Sequence, residues 1–232
     1  MKGKIYTIGA FLIVMLLTLN GCTASFSTSN GKSPTATTNS NSTAGKNPSA
    51  PTAPTEKLKN VKKPENKKGK VAKDVEIPKD WITVYDEKKG YSFSIPDGST
   101  GGHETQEGMD VFIAGTPAPS EVTVVVLAFK DKTMTKEDLL AVAVKFLEGL
   151  GATKAEPGKL SAESEDYSLT EAISTLADGS KSKCKILVGT DVTDNYVMIV
   201  GTEEPKFASN EKVIDEIWGS FAMWSGGASG NN

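Results

Sequence analysis

Residues 121–150 read EVTVVVLAFKDKTMTKEDLLAVAVKFLEGL, and two hydrophobic periods meet in them. From Glu121 to Lys130 the chain is β-branched and apolar, with Val122, Val124 and Val126 on one face of a strand and Val125, Leu127 and Phe129 falling around it. Thr135 then offers an N-cap, with Asp138 in the first turn. Leu139, Leu140, Val142, Ala143, Phe146, Leu147 and Leu150 follow at helical spacing, which sets one apolar stripe against a sheet.

Working outward, Trp81–Tyr85 and Tyr91–Ile95 read as short strands joined by the Asp86–Gly90 turn, the second stopping at Pro96-Asp97-Gly98. Met109–Ala114 is a further strand. On the C-terminal side, Tyr167–Leu176, Lys183–Val188 and Tyr196–Gly201 are separated by polar turns at Asp178-Gly179-Ser180 and Asp191–Asn195, forming an antiparallel meander. A last helix is expected from a cap at Ser209 through Val213, Ile214, Ile217 and Trp218 to Phe221, with a loose tail over 226–232. The fold class is α+β, an antiparallel β-sheet flanked by helices, with the domain placed at 81–225.

The element order, the motif Gly90-Tyr91-Ser92-Phe93-Ser94-Ile95-Pro96-Asp97-Gly98, the helix opening Thr135-Lys136-Glu137-Asp138-Leu139-Leu140 and the ending Gly219-Ser220-Phe221 together resemble the PsbP-like family over residues 81–224. That family includes the photosystem II extrinsic protein, a Ran-binding protein fold and bacterial lipoproteins of the DcrB and LpqN types. Where the family frequently carries Trp after the turn, this chain has Ser99. The resemblance implies a non-catalytic binding or accessory module, although one fold hosts unrelated functions.

The N-terminus reads as an address. Lys2 and Lys4 precede an uncharged, mostly apolar stretch from Ile5 to Leu19, followed by Asn20, Gly21 and Cys22, the layout of a secretory signal peptide over 1–21. Leu19-Asn20-Gly21-Cys22 resembles the lipobox of bacterial lipoproteins, which implies that Cys22 carries a diacylglyceryl group and palmitate-type acyl chains as its membrane anchor. Each buried CH₂ contributes roughly 0.8 kcal/mol, so two or three chains hold firmly where one does not. An ordinary cleaved signal and an uncleaved helix are the alternatives; the apolar stretch is shorter than the ~20 residues that spanning requires. The expected location is the bacterial cell envelope, on the outer face of the plasma membrane, or on an outer membrane if the host has one.

Residues 22–80 are expected to be a disordered linker, rich first in Ser, Thr, Asn and Pro and then in Lys. As a flexible coil, 23–80 spans roughly 40 to 45 Å. Its Lys57, Lys59, Lys62, Lys63, Lys67, Lys68 and Lys70 either touch an anionic lipid or wall surface or form a solvated spacer. The formal charge of -3 hides this asymmetry, because residues 23–80 carry a net +6 and residues 81–232 a net -11. An acidic body disfavours nucleic acid, and all 26 basic residues are Lys, so bidentate guanidinium grips are absent.

Few residues suit chemistry. His103 is the one imidazole, and Cys22 and Cys184 are the two thiols, too few for a Cys/His zinc site, and no cofactor is implied. Ser99 and His103 share a Gly-rich stretch read as a mobile partner-contact loop, with hydrolysis there as the alternative. Glu163, Glu165, Asp166, Asp191 and Asp194 offer oxygens to a metal but lack calcium-loop spacing, so solvated turn residues are the preferred reading. Cys184, on a face with Ile186 and Val188, reads as a half-buried structural thiol. Trp218, Phe221, Met223 and Trp224 read as packing.

Overall fold

The run from Val122 to Phe129 lies in the middle of the molecule, and both of its faces are covered. The computed structural model describes residues 56–61, 69–106, 109–130, 133–191 and 194–224. Its elements are β1 (Lys70–Val71), β2 (Trp81–Asp86), β3 (Tyr91–Pro96), β4 (Thr100–Gln106), β5 (Met109–Gly115), β6 (Thr123–Phe129), α1 (Lys136–Gly149), β7 (Ala152–Pro157), β8 (Ser161–Ala162), β9 (Tyr167–Leu176), β10 (Lys181–Asp191), β11 (Asp194–Glu203), α2 (Glu204–Gly219) and β12 (Ala222–Met223). The larger sheet runs β4-β5-β6-β11-β10-β9-β7, with β8 also on β9, and the smaller runs β1-β12-β3-β2. The pairings are antiparallel.

Period-2 alternation sorts the central strands into two cores. Val125, Leu127, Phe129, Cys184, Ile186, Val188, Val197 and Ile199 meet Leu139, Ala143 and Phe146 of α1. On the other face, Val124, Val126, Leu187, Met198 and Val200 meet Tyr91, Phe93 and Ile95 of the small sheet together with Phe207, Ile214, Ile217 and Trp218 of α2. The result is three layers, α1, the large sheet, and the small sheet with α2. Each fully buried Val, Leu or Ile contributes roughly 1.5–3 kcal/mol, so the layers outweigh any single cap. Lys185 is buried between the large sheet and α2, its Nζ 2.5 Å from Asp215 Oδ1, which also accepts from Trp218 Nε1.

The capping box at α1 forms as the sequence predicts: Thr135 Oγ1 accepts from the Asp138 amide at 3.0 Å, and Asp138 Oδ2 accepts from the Thr135 amide at 3.0 Å. The hairpin at Asp178-Gly179-Ser180 also forms, with Gly179 at φ +83. Three expectations are corrected. Helix α2 starts at Glu204, five residues early, with Pro205 in its first turn; Ser209 lies inside it and donates to Lys206 O. The Gly-rich stretch after Ser99 is strand β4, paired along its length with β5.

The third correction concerns where the folded unit begins. Residues 56–61 and 69–80 were expected in the linker, yet Ala72 is buried, its amide donates to Phe221 O at 2.8 Å, and that of Lys73 donates to Gly219 O at 3.0 Å. Lys70 and Val71 add a strand to β12, and Leu58 packs on the second core. Isolated apolar residues among lysines carry this docking. The expectations for residues 1–55, 62–68 and 225–232, Cys22 included, lie outside the described residues.

Thr135→Ala should cost about 1 kcal/mol, whereas Ile186→Ala should cost about 2–5 kcal/mol. Urea unfolding of both variants checks the ratio, with an unchanged m-value expected for the cap variant.

Candidate functional site

Backbone register lines up Asp110, Ala128, Tyr196, Gly189 and Tyr167 across β5, β6, β11, β10 and β9. Just past this row the strands end in charge: Lys130 follows β6, Asp191 faces Asp194 across β10 and β11, and Asp166 precedes β9. Asp86 arrives from the end of β2. These groups form an ionic rim along one end of the molecule. His103 Nδ1 lies 3.0 Å from Asp110 Oδ1, and its Nε2 lies 3.3 Å from Asp86 Oδ2. Lys89 Nζ meets Asp110 Oδ2 at 2.6 Å, Lys130 pairs with Asp194, and Lys70 Nζ meets Asp166 at 2.8 Å and Asp191 at 3.2 Å. Each ring nitrogen of His103 thus faces a carboxylate, one brought by β5 and the other by the end of β2.

Two tyrosines stitch the rim to the chain around it. Tyr196 Oη donates to Lys89 O at 2.7 Å. Tyr167 Oη donates to Lys70 O at 2.7 Å and accepts from the Met223 amide at 3.0 Å, tying β1 and β12 to the large sheet. Burial pushes both phenols well above the ordinary tyrosine range, so they act as neutral donors. Gly189 makes room for this, since a Cβ there would stand 2.7 Å from the Tyr167 ring. Burial alone would raise the Asp110 carboxyl, but the hydrogen bonds from Lys89 and His103 outweigh it and hold the group below its usual value. The hydrogen bonds to Asp166 and then Asp191 hold the Lys70 ammonium above its usual value.

A seam lies beside the rim. Strands β4 and β2 are edges of the two sheets, and residues 56–61 cross from one to the other. The Gly101 amide donates to Glu56 O at 3.0 Å, the Leu58 amide to Ser99 O at 2.9 Å, and the Val61 amide to Thr83 O at 3.2 Å. The Thr83 amide donates to Asn60 Oδ1 at 3.2 Å. Lys57 pairs with Asp97 at 3.3 Å. Two open cavities flank the segment, one of about 550 Å³ beside Trp81, Ile82 and Asp97 and one of about 290 Å³ beside Tyr85, His103 and Phe112. The Tyr85 hydroxyl is buried, with no hydrogen-bond partner among the described residues.

Ser99 and His103 do not form one loop. Ser99 is fully buried and donates to Pro96 O at 2.6 Å, while His103 lies four positions on, roughly 13 Å along an extended chain. A Ser–His relay between them is therefore corrected. Asp191 and Asp194 are likewise buried ion-pair members rather than solvated turn residues, because Lys70 and Lys130 neutralise them. Glu163 and Glu165 stay exposed, and among the described residues no three His, Cys, Asp or Glu side chains are grouped to hold a metal. Cys184 is fully rather than half buried, and burial pushes its thiol up to about 12. Trp218, Phe221, Met223 and Trp224 are buried as packing. Of the seven lysines considered for anionic surfaces, Lys57 and Lys70 bind the protein's own carboxylates, and Lys62, Lys63, Lys67 and Lys68 lie outside the described residues. Asp86, Asp110, Lys89, Lys130, Tyr167 and Tyr196 were missed as a group, because only strand register gathers residues so far apart.

No protein-family model and no curated protein sequence matches the chain. Among solved structures, the chain is similar to cyanobacterial PsbP (CyanoP) from Synechocystis sp. PCC 6803, with 21% identity, a TM-score of 0.50, and coverage of 62% of this chain and 93% of that one. The Ran-binding protein Mog1p of Saccharomyces cerevisiae aligns at 13% identity and a TM-score of 0.45, covering 62% of this chain and 95% of its own. The fold is PsbP-like, antiparallel β-sheets with two helices.

Tyr167→Phe strips partners from Lys70 O and the Met223 amide and should cost about 1–3 kcal/mol. The Lys70 contribution is complete below about pH 10.4 and is lost as pH rises through its raised folded value. The Asp110 contribution is complete above about pH 3.9 and is lost as pH falls through its lowered folded value. Urea midpoints across pH should show both limbs, the alkaline one shrinking in Lys70→Met and the acid one in Asp110→Asn.

Proposed function

We propose that the protein is a lipid-anchored lipoprotein of the bacterial cell envelope whose PsbP-like domain is a non-catalytic binding or accessory module. The observation that carries the module reading is the state of its reactive side chains. Ser99 is buried and bonded to Pro96, Cys184 is buried with its thiol pushed up to about 12, and His103 is held between two carboxylates. Ser99 and Cys184 are spent on structure, and the rim, His103 included, and the seam remain for recognition. Leu19-Asn20-Gly21-Cys22 supports the anchor. Contact with an anionic lipid or wall surface falls to Lys59, Lys62, Lys63, Lys67 and Lys68, since Lys57 and Lys70 are paired within the domain.

The anchor is tested by expressing the full chain and Cys22→Ala in a bacterial host fed an alkyne palmitate analogue. The native chain should take up label and stay with membranes through a high-salt wash, and the variant should lose both. Equal membrane retention without label in the native chain would contradict lipidation. For the module, His103→Ala should weaken envelope-protein crosslinks while leaving no hydrolytic activity to lose; a hydrolase activity abolished by that substitution would overturn the non-catalytic reading.

A further inference from the structure

We propose that the seam between β2 and β4 is a strand-addition site for an extended peptide with an apolar side chain flanked by lysines, and that Glu56–Val61 is its internal competitor. The inference rests on reading the domain as a binding module and names the surface that binds. Strand edges present unpaired backbone groups that a further chain can complete. Here the two sheets leave edges β4 and β2 side by side, and one short segment already bonds to both.

The contacts of that segment define the ligand. Backbone bonds to Ser99, Gly101 and Thr83 accept any extended chain. Selectivity comes from Leu58 against the core and Lys57 on Asp97. The fit is incomplete, since cavities of about 550 Å³ and 290 Å³ stay open on its two sides. A longer or bulkier chain running the same course would cover more of the half-buried Trp81 and Tyr85 than residues 56–61 do. Charge agrees, because residues 81–232 carry a net -11 and Asp80 and Asp97 line the end where Lys57 sits.

A docked segment of the same chain has an effective concentration in the millimolar range for a short linker, so a free peptide of equal affinity displaces it only at concentrations approaching that value. The test uses a fluorescent synthetic peptide of residues 54–63 and the full chain, native or with residues 56–61 replaced by a Gly-Ser sequence. Anisotropy should show the replaced chain binding the peptide about tenfold or more tighter than the native chain, a difference of about 1.4 kcal/mol. A peptide carrying Leu58→Asp should lose that binding, and Asp97→Lys in the protein should weaken it. Should the replaced chain fail to fold by circular dichroism, full-length Leu58→Ala takes its place. Equal binding to native and emptied chains, or equal binding of a scrambled peptide of the same charge, would overturn the proposal. That failure leaves the module reading standing if envelope crosslinks persist from elsewhere on the domain.

Discussion

A sheet that is apolar on both faces has to be covered twice, and most of this structure follows from that requirement. Strands β6, β10 and β11 bury successive residues on alternate sides, so neither face can meet water without exposing several Val, Ile and Leu side chains. Helix α1 covers one face. The other is too wide for α2 alone and is completed by the small sheet, whose Tyr91, Phe93 and Ile95 lie at or below 1% exposure. Because the small sheet is held by packing against the large one, its outer strands have edges of their own. Those edges and the strand ends are where polar chemistry collects.

At the strand ends the solution is ionic. Asp191 and Asp194 are more than nine-tenths buried, a position that carboxylates occupy only with compensation, and each has a lysine. One of those lysines, Lys70, comes from the N-terminal arm, so the charge contrast between arm and body is partly satisfied within the molecule. At the edges the solution is a strand. The same arm lays residues 56–61 across the seam and residues 70–71 on β12, so one stretch of chain covers both the open seam and the end of the small sheet.

Legibility in the sequence followed the strength of local signals. The valine run, the Thr135 cap and the three-strand meander each carry a period or a turn that leaves few alternatives, and each forms where it was expected. Strand β4 reads as a loop in the sequence because Thr100-Gly101-Gly102-His103 offers neither β-branched alternation nor an apolar face; its strand conformation is imposed by pairing with β5. The arm reads as linker because its docking rests on single residues, Leu58 and Ala72, inside a composition typical of solvated chain. The rim was invisible as a unit. Asp86, His103 and Asp110 look like unrelated polar positions until the register of β4 and β5 brings two of them together and the end of β2 brings the third.

The claim on which both the rim and the seam depend is that the arm belongs to the fold. Native-state hydrogen exchange of the full chain tests it directly at the amides of Leu58, Ala72 and Lys73, which donate to Ser99, Phe221 and Gly219. These three amides should exchange orders of magnitude more slowly than unstructured peptide, with Ala72 and Lys73 slowed together in Tyr167-intact protein. Exchange at the unprotected peptide rate at all three positions would contradict the account.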